Sequence, residues 1–201
     1  MFPDQLPPPT KRADAERNRD KILAAARTAF ADPGAEVSMA EISRRAGVGM
    51  ATLYRNFPGR RELLEALYGD EVDAICAAAE RVDGDTPGAA LMAWLHRFFA
   101  FASTKHHIAS ELLAQTGSSN PVFGESRARG LDAGRPLLAA AQRTREVRDH
   151  LTIEQVLDMI VAIAQIRGEP DYRESILQIA LDGLRLPPET GPRETARVGD
   201  R

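Results

Sequence analysis

The chain has 201 residues, of which 43% are hydrophobic and 27% charged. This length and composition fit one or two compact domains with a hydrophobic core, and the formal net charge of −3 argues against a protein that coats nucleic acid over its whole surface. The single cysteine, Cys76, excludes an intramolecular disulfide and a cysteine metal cluster, and it favours a reducing compartment.

The N-terminal part of the chain predicts an arm followed by a helix. Residues 1–12 are rich in proline and predict a flexible arm. A helix is predicted over about 13–32, because Ile22 and Ala26 share one face and a Pro-Gly pair at 33–34 ends the pattern.

The stretch 38–57 predicts two short helices joined by a tight turn. Ser38 and Glu41 have the spacing of a capping box, in which the serine oxygen accepts from a free amide and the glutamate caps the serine N–H. Gly47 is the residue type that most easily adopts the left-handed conformation at a helix end. A second helix begins at Gly49, so the stretch predicts a helix-turn-helix.

The second of these helices has two different faces. Leu53 and Phe57 lie four residues apart and therefore share the face that packs inward. At about 100° per residue, the opposite face is small, polar and cationic, which suits a DNA major groove. The outward residues are Ala51, Thr52, Tyr54 and Arg55.

Charge is distributed unevenly along the chain. Residues 1–61 contain eleven Lys and Arg against seven Asp and Glu, whereas residues 62–201 contain fifteen against twenty-two. A basic segment beside an acidic remainder is typical of a protein that touches phosphate with one end only.

The remainder of the chain predicts helices and no strands. The predicted helices cover about 60–82, 87–102, 105–115, 121–144, 152–167 and 172–186. Pro136 is expected to kink or interrupt the fourth of them, and Thr152 with Gln155 predicts a capping box at the start of the fifth. The predicted fold is therefore all-α with about nine helices, in which a three-helix head precedes a larger helical body.

The most apolar run, residues 156–166, is too short to span a bilayer and contains Asp158. The first ten residues lack the apolar core of a signal peptide. These two observations predict a cytoplasmic protein with no membrane partner.

Aromatic residues and methionines in the body either line a cavity for a small ligand or form plain core. Adjacent His106 and His107 point about 100° apart on a helix and cannot easily share a metal ion, so neither a metal site nor a cofactor is expected. A lone histidine as a polar anchor for a ligand fits better. The six candidate lining residues are Trp94, Phe98, Phe101, His106, Phe123 and Met159.

Two apolar stripes near the C-terminal end contain small residues that permit close helix approach. One consists of Val156, Ile160 and Ala164, and the other of Ile176, Ile179, Ala180 and Gly183. Physical reasoning alone predicts that both helices pack against another apolar surface, without identifying that surface.

A joint pattern of residues runs from about position 20 to position 67. It consists of Ala29-Phe30, Ile42-x-x-x-Ala46-Gly47-Val48, Thr52-Leu53-Tyr54-x-x-Phe57, and Arg60 just before Leu63-Leu64. This pattern resembles the DNA-binding domain of the TetR family of transcriptional regulators. The resemblance covers about a quarter of the chain. It implies a homodimer in which each subunit pairs a DNA-binding head with a divergent helical body that binds an effector, and it assigns the two apolar stripes to the dimer interface.

The resemblance also implies which residues meet DNA. It assigns contacts with base edges to Met50, Ala51 and Thr52. It assigns contacts with the phosphate backbone to Ser38, Met39, Arg45, Tyr54, Asn56 and Arg60. Arg55 is added because it points outward and arginine can bind guanine through two hydrogen bonds. The full predicted set is Ser38, Met39, Arg45, Met50, Ala51, Thr52, Tyr54, Arg55, Asn56 and Arg60.

Two positions depart from the usual family pattern. Gly49 stands where serine or another capping residue is common, and Asn56 stands where histidine is common. Glycine is an acceptable but weaker helix cap, so the recognition helix is expected to be less stable off DNA.

The expected function is a sequence-specific regulator, a repressor that binds an inverted-repeat operator as a homodimer and is released by an unidentified small-molecule effector. A ligand-independent, architectural DNA-binding protein is the alternative. An enzyme is not expected, because the sequence shows no nucleotide-binding glycine loop, nucleophile motif or zinc spacing.

The predicted domain division follows the composition. It comprises a flexible arm (1–12), a DNA-binding domain (13–59), an effector-binding and dimerisation domain (60–186) that opens with a connecting helix (60–82), and a disordered tail (187–201).

Overall fold

The computed structural model describes residues 11–30, 37–116 and 120–186, and at 11, 12, 106, 107, 115 and 116 it describes the backbone alone. Most of the predicted arm, the predicted end of the first helix at 33–34 and the predicted tail lie outside the described residues.

Within these ranges the chain is all-helical, which confirms the predicted fold class, and eight α-helices are described. They are α1 (Lys11–Ala29), α2 (Met39–Ala46), α3 (Met50–Asn56), α4 (Arg60–Glu80), α5 (Pro87–Thr116), α6 (Pro121–Arg143), α7 (Ile153–Ala164) and α8 (Pro170–Leu184).

Helix α5 is one continuous helix of 30 residues, where the sequence predicts two helices with a break after Ala102. No glycine or proline lies between Ala102 and Lys105, so nothing in the backbone forces the helix to stop. The hydroxyl of Thr104 donates to the Ala100 carbonyl at 2.8 Å, which keeps this polar residue within the helical hydrogen-bond pattern.

Helix α6 runs without interruption through Pro136. The proline lies on the exposed side, whereas Gly134 and Leu138 on either side of it are buried. Packing of that buried face maintains the helix, although the proline lacks the N–H that would complete one turn.

The helices enclose two hydrophobic cores. The head core is built from α1 to α4, with Ile42, Leu53 and Phe57 fully enclosed, and it also includes Ile108 and Leu112 of α5. The head therefore packs directly onto the body rather than standing apart from it.

The body core centres on Trp94 of α5, which is fully buried. Its indole N–H donates to the Ile75 carbonyl of α4 at 3.1 Å, so the one polar atom of this side chain is satisfied. The predicted capping box at the start of α7 is confirmed, with Thr152 and Gln155 bonded reciprocally at 3.0 and 3.3 Å.

Helix α4 belongs to both cores. Leu64 and Leu67 near its start pack in the head, and Ile75 and Ala79 near its end pack in the body. Any change in the tilt of α4 must therefore alter packing in both parts of the protein. None of the described helices is long and apolar enough to cross a membrane.

Candidate nucleic-acid interface

The first helix of the helix-turn-helix begins at Ser38, as predicted. The Ser38 hydroxyl accepts from the Glu41 amide at 3.1 Å. The reciprocal half of the capping box is not formed, because the Glu41 carboxylate binds Arg44 and Arg45 instead, at 2.6 to 2.9 Å. These hydrogen bonds lower the pKa of Glu41 to about 2. Ser38 and Arg45 are exposed and Met39 is half-buried.

The turn has the geometry that the sequence predicts. Gly47 adopts the left-handed conformation with φ 65°, and its N–H donates to the Arg44 carbonyl at 3.2 Å. A second restraint comes from Ser43, whose buried hydroxyl donates to the Val48 carbonyl at 2.6 Å. The sequence reasoning missed Ser43, since its partner becomes evident only once the turn is folded.

Helix α3 presents one face to the head core and the other to solvent. Leu53 and Phe57 are buried, which confirms the predicted inner face. On the outer side, Met50 is 39% exposed and Tyr54 is 47% exposed, both high values for large apolar or aromatic side chains. Gly49 precedes the helix and provides no side-chain cap.

Two polar residues of α3 bond within their own helix. The Arg55 guanidinium donates to the Ala51 carbonyl at 3.1 Å and to the Thr52 hydroxyl at 3.2 Å, while remaining exposed. The Asn56 amide donates to the Thr52 carbonyl at 2.8 Å and satisfies a backbone acceptor near the helix end.

Arg60, predicted to meet phosphate, is engaged inside the protein. Its guanidinium donates to the Glu111 carboxylate of α5 and to the Val37 carbonyl, and it lies 5.0 Å from the Phe30 ring centroid. This arrangement ties the start of α4 to α5 and to the segment before α2. The structure therefore gives Arg60 a connecting role in place of a free phosphate-binding guanidinium.

The body contains a cavity of about 220 Å³. Phe98, Phe101 and Phe123 line it, as the sequence predicts. Trp94 and Met159 do not line it: Trp94 is sealed in the body core and Met159 packs against the outside of that core. The side chain of His106 lies outside the described residues.

Connector helix α4 supplies a wall of the cavity that the sequence reasoning missed. Tyr68 and Val72 of α4 face the aromatic residues of α5 and α6, and the Tyr68 ring meets Phe123 edge-on at 5.4 Å between centroids. Burial raises the pKa of the Tyr68 hydroxyl. The polar lining residues are Tyr68, Lys105, Ser126, Arg127 and Gln165.

The two predicted dimer stripes differ in accessibility. Val156, Ile160 and Ala164 of α7 are buried within the protomer's own core, because α7 packs against α5 and α6. The structure thus corrects this half of the prediction: these three side chains are not available to a partner.

Helix α8 carries an exposed apolar stripe. Its members recur every three or four residues, which is the spacing of a coiled-coil seam. They are Tyr172, Ile176, Ile179 and Gly183; Ile176 and the predicted Ala180 are half-buried, and the exposed Leu186 follows just after the helix ends. Ile179 is 75% exposed, the highest value among the large hydrophobic residues described.

A helix-turn-helix whose outer face is polar, joined through a shared helix to an all-helical body, is the architecture of a DNA-binding regulator. Residues 22–67 match the family model described as bacterial regulatory proteins, tetR family. Residues 86–186 match the C-terminal domain of SbtR-like transcriptional regulators. The chain belongs to the TetR family of transcriptional regulators.

Solved structures of family members are similar over nearly their whole length. A TetR transcriptional regulator from Streptomyces coelicolor is 36% identical, with a TM-score of 0.69 over 83% of this chain and 98% of that one. A TetR regulatory protein from Mycobacterium vanbaalenii is 31% identical, with a TM-score of 0.72 over 88% and 100%.

Among curated proteins, the HTH-type transcriptional repressor KstR of Mycobacterium tuberculosis is 29% identical over 79% of this chain and 63% of its own length. A match to an HTH-type transcriptional regulator of Staphylococcus aureus is 32% identical over 37% of this chain and 40% of that protein. The chain thus spans less than two thirds of the length of the curated relatives that it matches.

Proposed function

We propose that this protein is a transcriptional repressor that binds an inverted-repeat operator as a homodimer and is released by a small organic effector. The observation that carries the proposal is the outer face of α3, where Tyr54 and Arg55 are exposed over a buried anchor of Leu53 and Phe57. A rigid inner face holds the outer side chains in register for base edges. The family supports DNA binding, and the relative KstR is described as a repressor.

The proposed base contacts lie on the exposed side of α3, from Met50 to Arg55. The two hydrogen bonds that hold Arg55 are weak, solvent-exposed and within one helix, so a guanine edge can replace them at little cost. Ser38, Met39 and Arg45 are proposed to contact phosphate from the start and end of α2. Asn56 and Arg60 are left out of the set, because they are half-buried as well as bonded within the protein, whereas Arg45 and Arg55 are exposed.

The test is an operator-shift assay on a site selected from a random-sequence DNA library, with salt titration. Arg55→Ala is expected to weaken binding by about 5- to 150-fold, the loss of one good base contact of about 1–3 kcal/mol. Arg143→Ala, which removes an exposed cation at the end of α6, is the matched control and should bind normally. Both variants should melt as the wild type does.

Two results would contradict the proposal. Normal operator binding by Arg55→Ala would show that the assigned face of α3 does not read DNA. Uniform binding to any duplex, with steep salt dependence and no selected sequence, would favour the architectural alternative.

The exposed stripe of α8 is proposed as the dimer interface. A two-fold pairing of this stripe would bury Ile179 and Tyr172 against their counterparts, and Gly183 leaves open space for close approach of the backbones. Two paired heads would then meet successive major grooves about 34–36 Å apart.

Ile179→Asp is expected to convert the dimer to a monomer in sedimentation analysis, because it places a charge in the middle of an apolar seam. Leu113→Asp introduces the same charge at an exposed leucine of α5 and should leave the dimer intact. A dimeric Ile179→Asp variant would place the interface elsewhere.

The cavity between α4, α5, α6 and α7 is proposed as the effector site. Its lining is mostly aromatic and aliphatic with a few polar groups, which is the composition of small-molecule sites. Because α4 lines this cavity and also packs in the head core, a ligand that favours a different tilt of α4 would change the spacing of the two heads.

A further inference from the structure

Lys105 is a nearly buried cation in the wall of the effector cavity. Its side chain is 12% exposed, and its ammonium lies 3.0 Å from the Oε1 atom of Glu71 on α4. Arg127 contributes a second, more exposed cation, which is paired with Asp158 at 2.6 and 3.1 Å. No aspartate or glutamate is among the described lining residues, so Lys105 and Arg127 line the cavity while the carboxylates that pair with them, Glu71 and Asp158, do not.

The Glu71 oxygen that meets Lys105 also binds Arg27 of α1. The Arg27 guanidinium donates to this Oε1 atom and, through another nitrogen, to the Asp70 carboxylate. One carboxylate thus joins a cation of the head to a cation of the effector cavity. Both ion pairs connect different helices, so they restrain how α1, α4 and α5 sit together.

We propose that the effector is a small organic acid whose carboxylate binds Lys105 and whose apolar part lies among Phe98, Phe101 and Phe123. The inference rests on the proposed effector site. It adds the chemical class of the effector and the contacts through which binding of the effector reaches the head. A buried cation requires an anionic partner, and a ligand carboxylate can take the place of Glu71. A cavity of about 150 Å³ holds one benzene ring, so 220 Å³ admits a ring or short acyl chain with an acidic group.

The coupling follows from the shared oxygen. A ligand carboxylate at Lys105 competes with Glu71 for the ammonium and repels it at close range. Glu71 must then shift, and with it the contact that holds Arg27 of α1. The ligand therefore changes an attachment between the head and α4, which is the differential interaction that an effector needs in order to shift a conformational equilibrium.

The chemical class is tested with matched acids and amides. Benzoate, phenylacetate and octanoate are titrated against benzamide, phenylacetamide and octanamide, with calorimetry and the fluorescence of Trp94, the single tryptophan, as readouts. Trp94 lies 5.7 Å from the Phe98 ring of the cavity wall, so it should report occupancy. At least one acid is expected to bind about tenfold or more tightly than its amide, the value of a charge-assisted hydrogen bond.

Lys105→Gln should reduce this acid-to-amide ratio to about one, and Lys105→Arg should keep a clear preference for the acid. Arg97→Gln removes a cation from an exposed position of the same helix and should leave the ratio unchanged. Melting curves establish that each variant is folded.

An equal affinity for acid and amide in the wild type, or a full preference in Lys105→Gln, would overturn the proposal. Failure of all six probes to bind at millimolar concentration would overturn it as well. None of these three results bears on the proposed DNA-binding function, because operator binding by the ligand-free protein is measured separately.

The route to the head is tested with Glu71→Gln. This variant should still bind the preferred acid, since Lys105 remains and has lost its competitor, but the acid should weaken operator binding less than it does in the wild type. Glu125→Gln, an exposed glutamate of α6, is the control and should keep the full effect. An unchanged effect of the acid in Glu71→Gln would show that coupling does not pass through this carboxylate.

Discussion

The head and the body are both packed helices, yet they place their chemistry on opposite sides of their cores. The head core is a closed set of mainly aliphatic side chains, and its distinctive polar groups lie outside, on α2 and α3. The body core is arranged around Trp94 and borders a cavity whose lining includes polar residues. The same type of element therefore carries an exposed polar face in the head and lines a cavity in the body.

Two glycines of α6 face the aromatic residues of α5 in the body. Gly134 lies against the Trp94 ring, where a larger residue would not fit, and Gly130 lines the cavity beside Phe98. The exposed face of α3, in contrast, lies over a filled core. Leu53 and Phe57 on the inner face of the helix are buried and hold it in place.

The largest expected effect on stability concerns two glycines of α6, of which Gly134 is tightly packed and Gly130 has room for a side chain. A Cβ atom built at Gly134 would lie 2.6 Å from the Trp94 ring, whereas one at Gly130 would have its nearest neighbour, Phe98, at 3.9 Å. Gly134→Ala should lower the free energy of unfolding by about 1–3 kcal/mol through overpacking. Gly130→Ala should leave it unchanged or raise it by up to about 1 kcal/mol, because alanine favours helix. Urea denaturation of the two variants provides the comparison, and equal effects would show that Trp94 can move aside.

A smaller effect concerns the joint between head and body. Burial raises the pKa of Glu71, but the hydrogen bonds from Arg27 and Lys105 outweigh it and leave the pKa below its ordinary value of 4.5. A carboxylate with a lowered pKa in the folded state stabilises the protein above its unfolded-state pKa, and this stabilisation is lost as the pH falls through the folded-state value.

The wild type should therefore be more stable than Glu71→Gln at neutral pH, and the difference should shrink as the pH falls below about 4.5. Urea midpoints measured between pH 3 and pH 7 check this expectation. A difference that does not vary with pH would show that Glu71 contributes by packing and not by charge.

The smallest expected effect is in the head, at the start of α3. Gly49 has φ −71° and ψ 151°, and a Cβ atom there would meet nothing within 4 Å. Gly49→Ser should raise the free energy of unfolding by a few tenths of a kcal/mol, because the serine oxygen can accept from a free amide of α3. Gly49→Ala lacks this oxygen and should lower it. Melting temperatures that rise equally in both variants would exclude capping as the cause.

The sequence alone predicted most of the local structure of the helix-turn-helix. Ser38 at the start of α2, the left-handed Gly47 and the inner pair Leu53 and Phe57 are all confirmed. Each depends on contacts within about one turn of helix, so spacing along the chain carries the information. The capping box at Thr152 was predicted for the same reason. The half-formed box at Ser38 shows the limit, since Glu41 had two arginines within reach and binds them instead.

Features that depend on distant partners were not predictable in this way. The family resemblance assigned Arg60 to phosphate, but its guanidinium binds Glu111, which lies 51 positions further along the chain. The family resemblance assigned the apolar stripe of α7 to the dimer interface, but the packing of α5 and α6 encloses it. Periodicity shows that a face is apolar and cannot show what covers it.

The sequence by itself determined the all-helical class and the helix-turn-helix, because these follow from propensity, capping and short-range spacing, and its joint pattern of residues resembles that of the family. Only the tertiary structure decided that α4 is shared by two cores, that Tyr68 and Lys105 enter the cavity, and that Glu71 joins that cavity to Arg27 of the head. These contacts arise where helices cross, and the relative placement of crossing helices is set by the packing of whole faces rather than by any local run of residues.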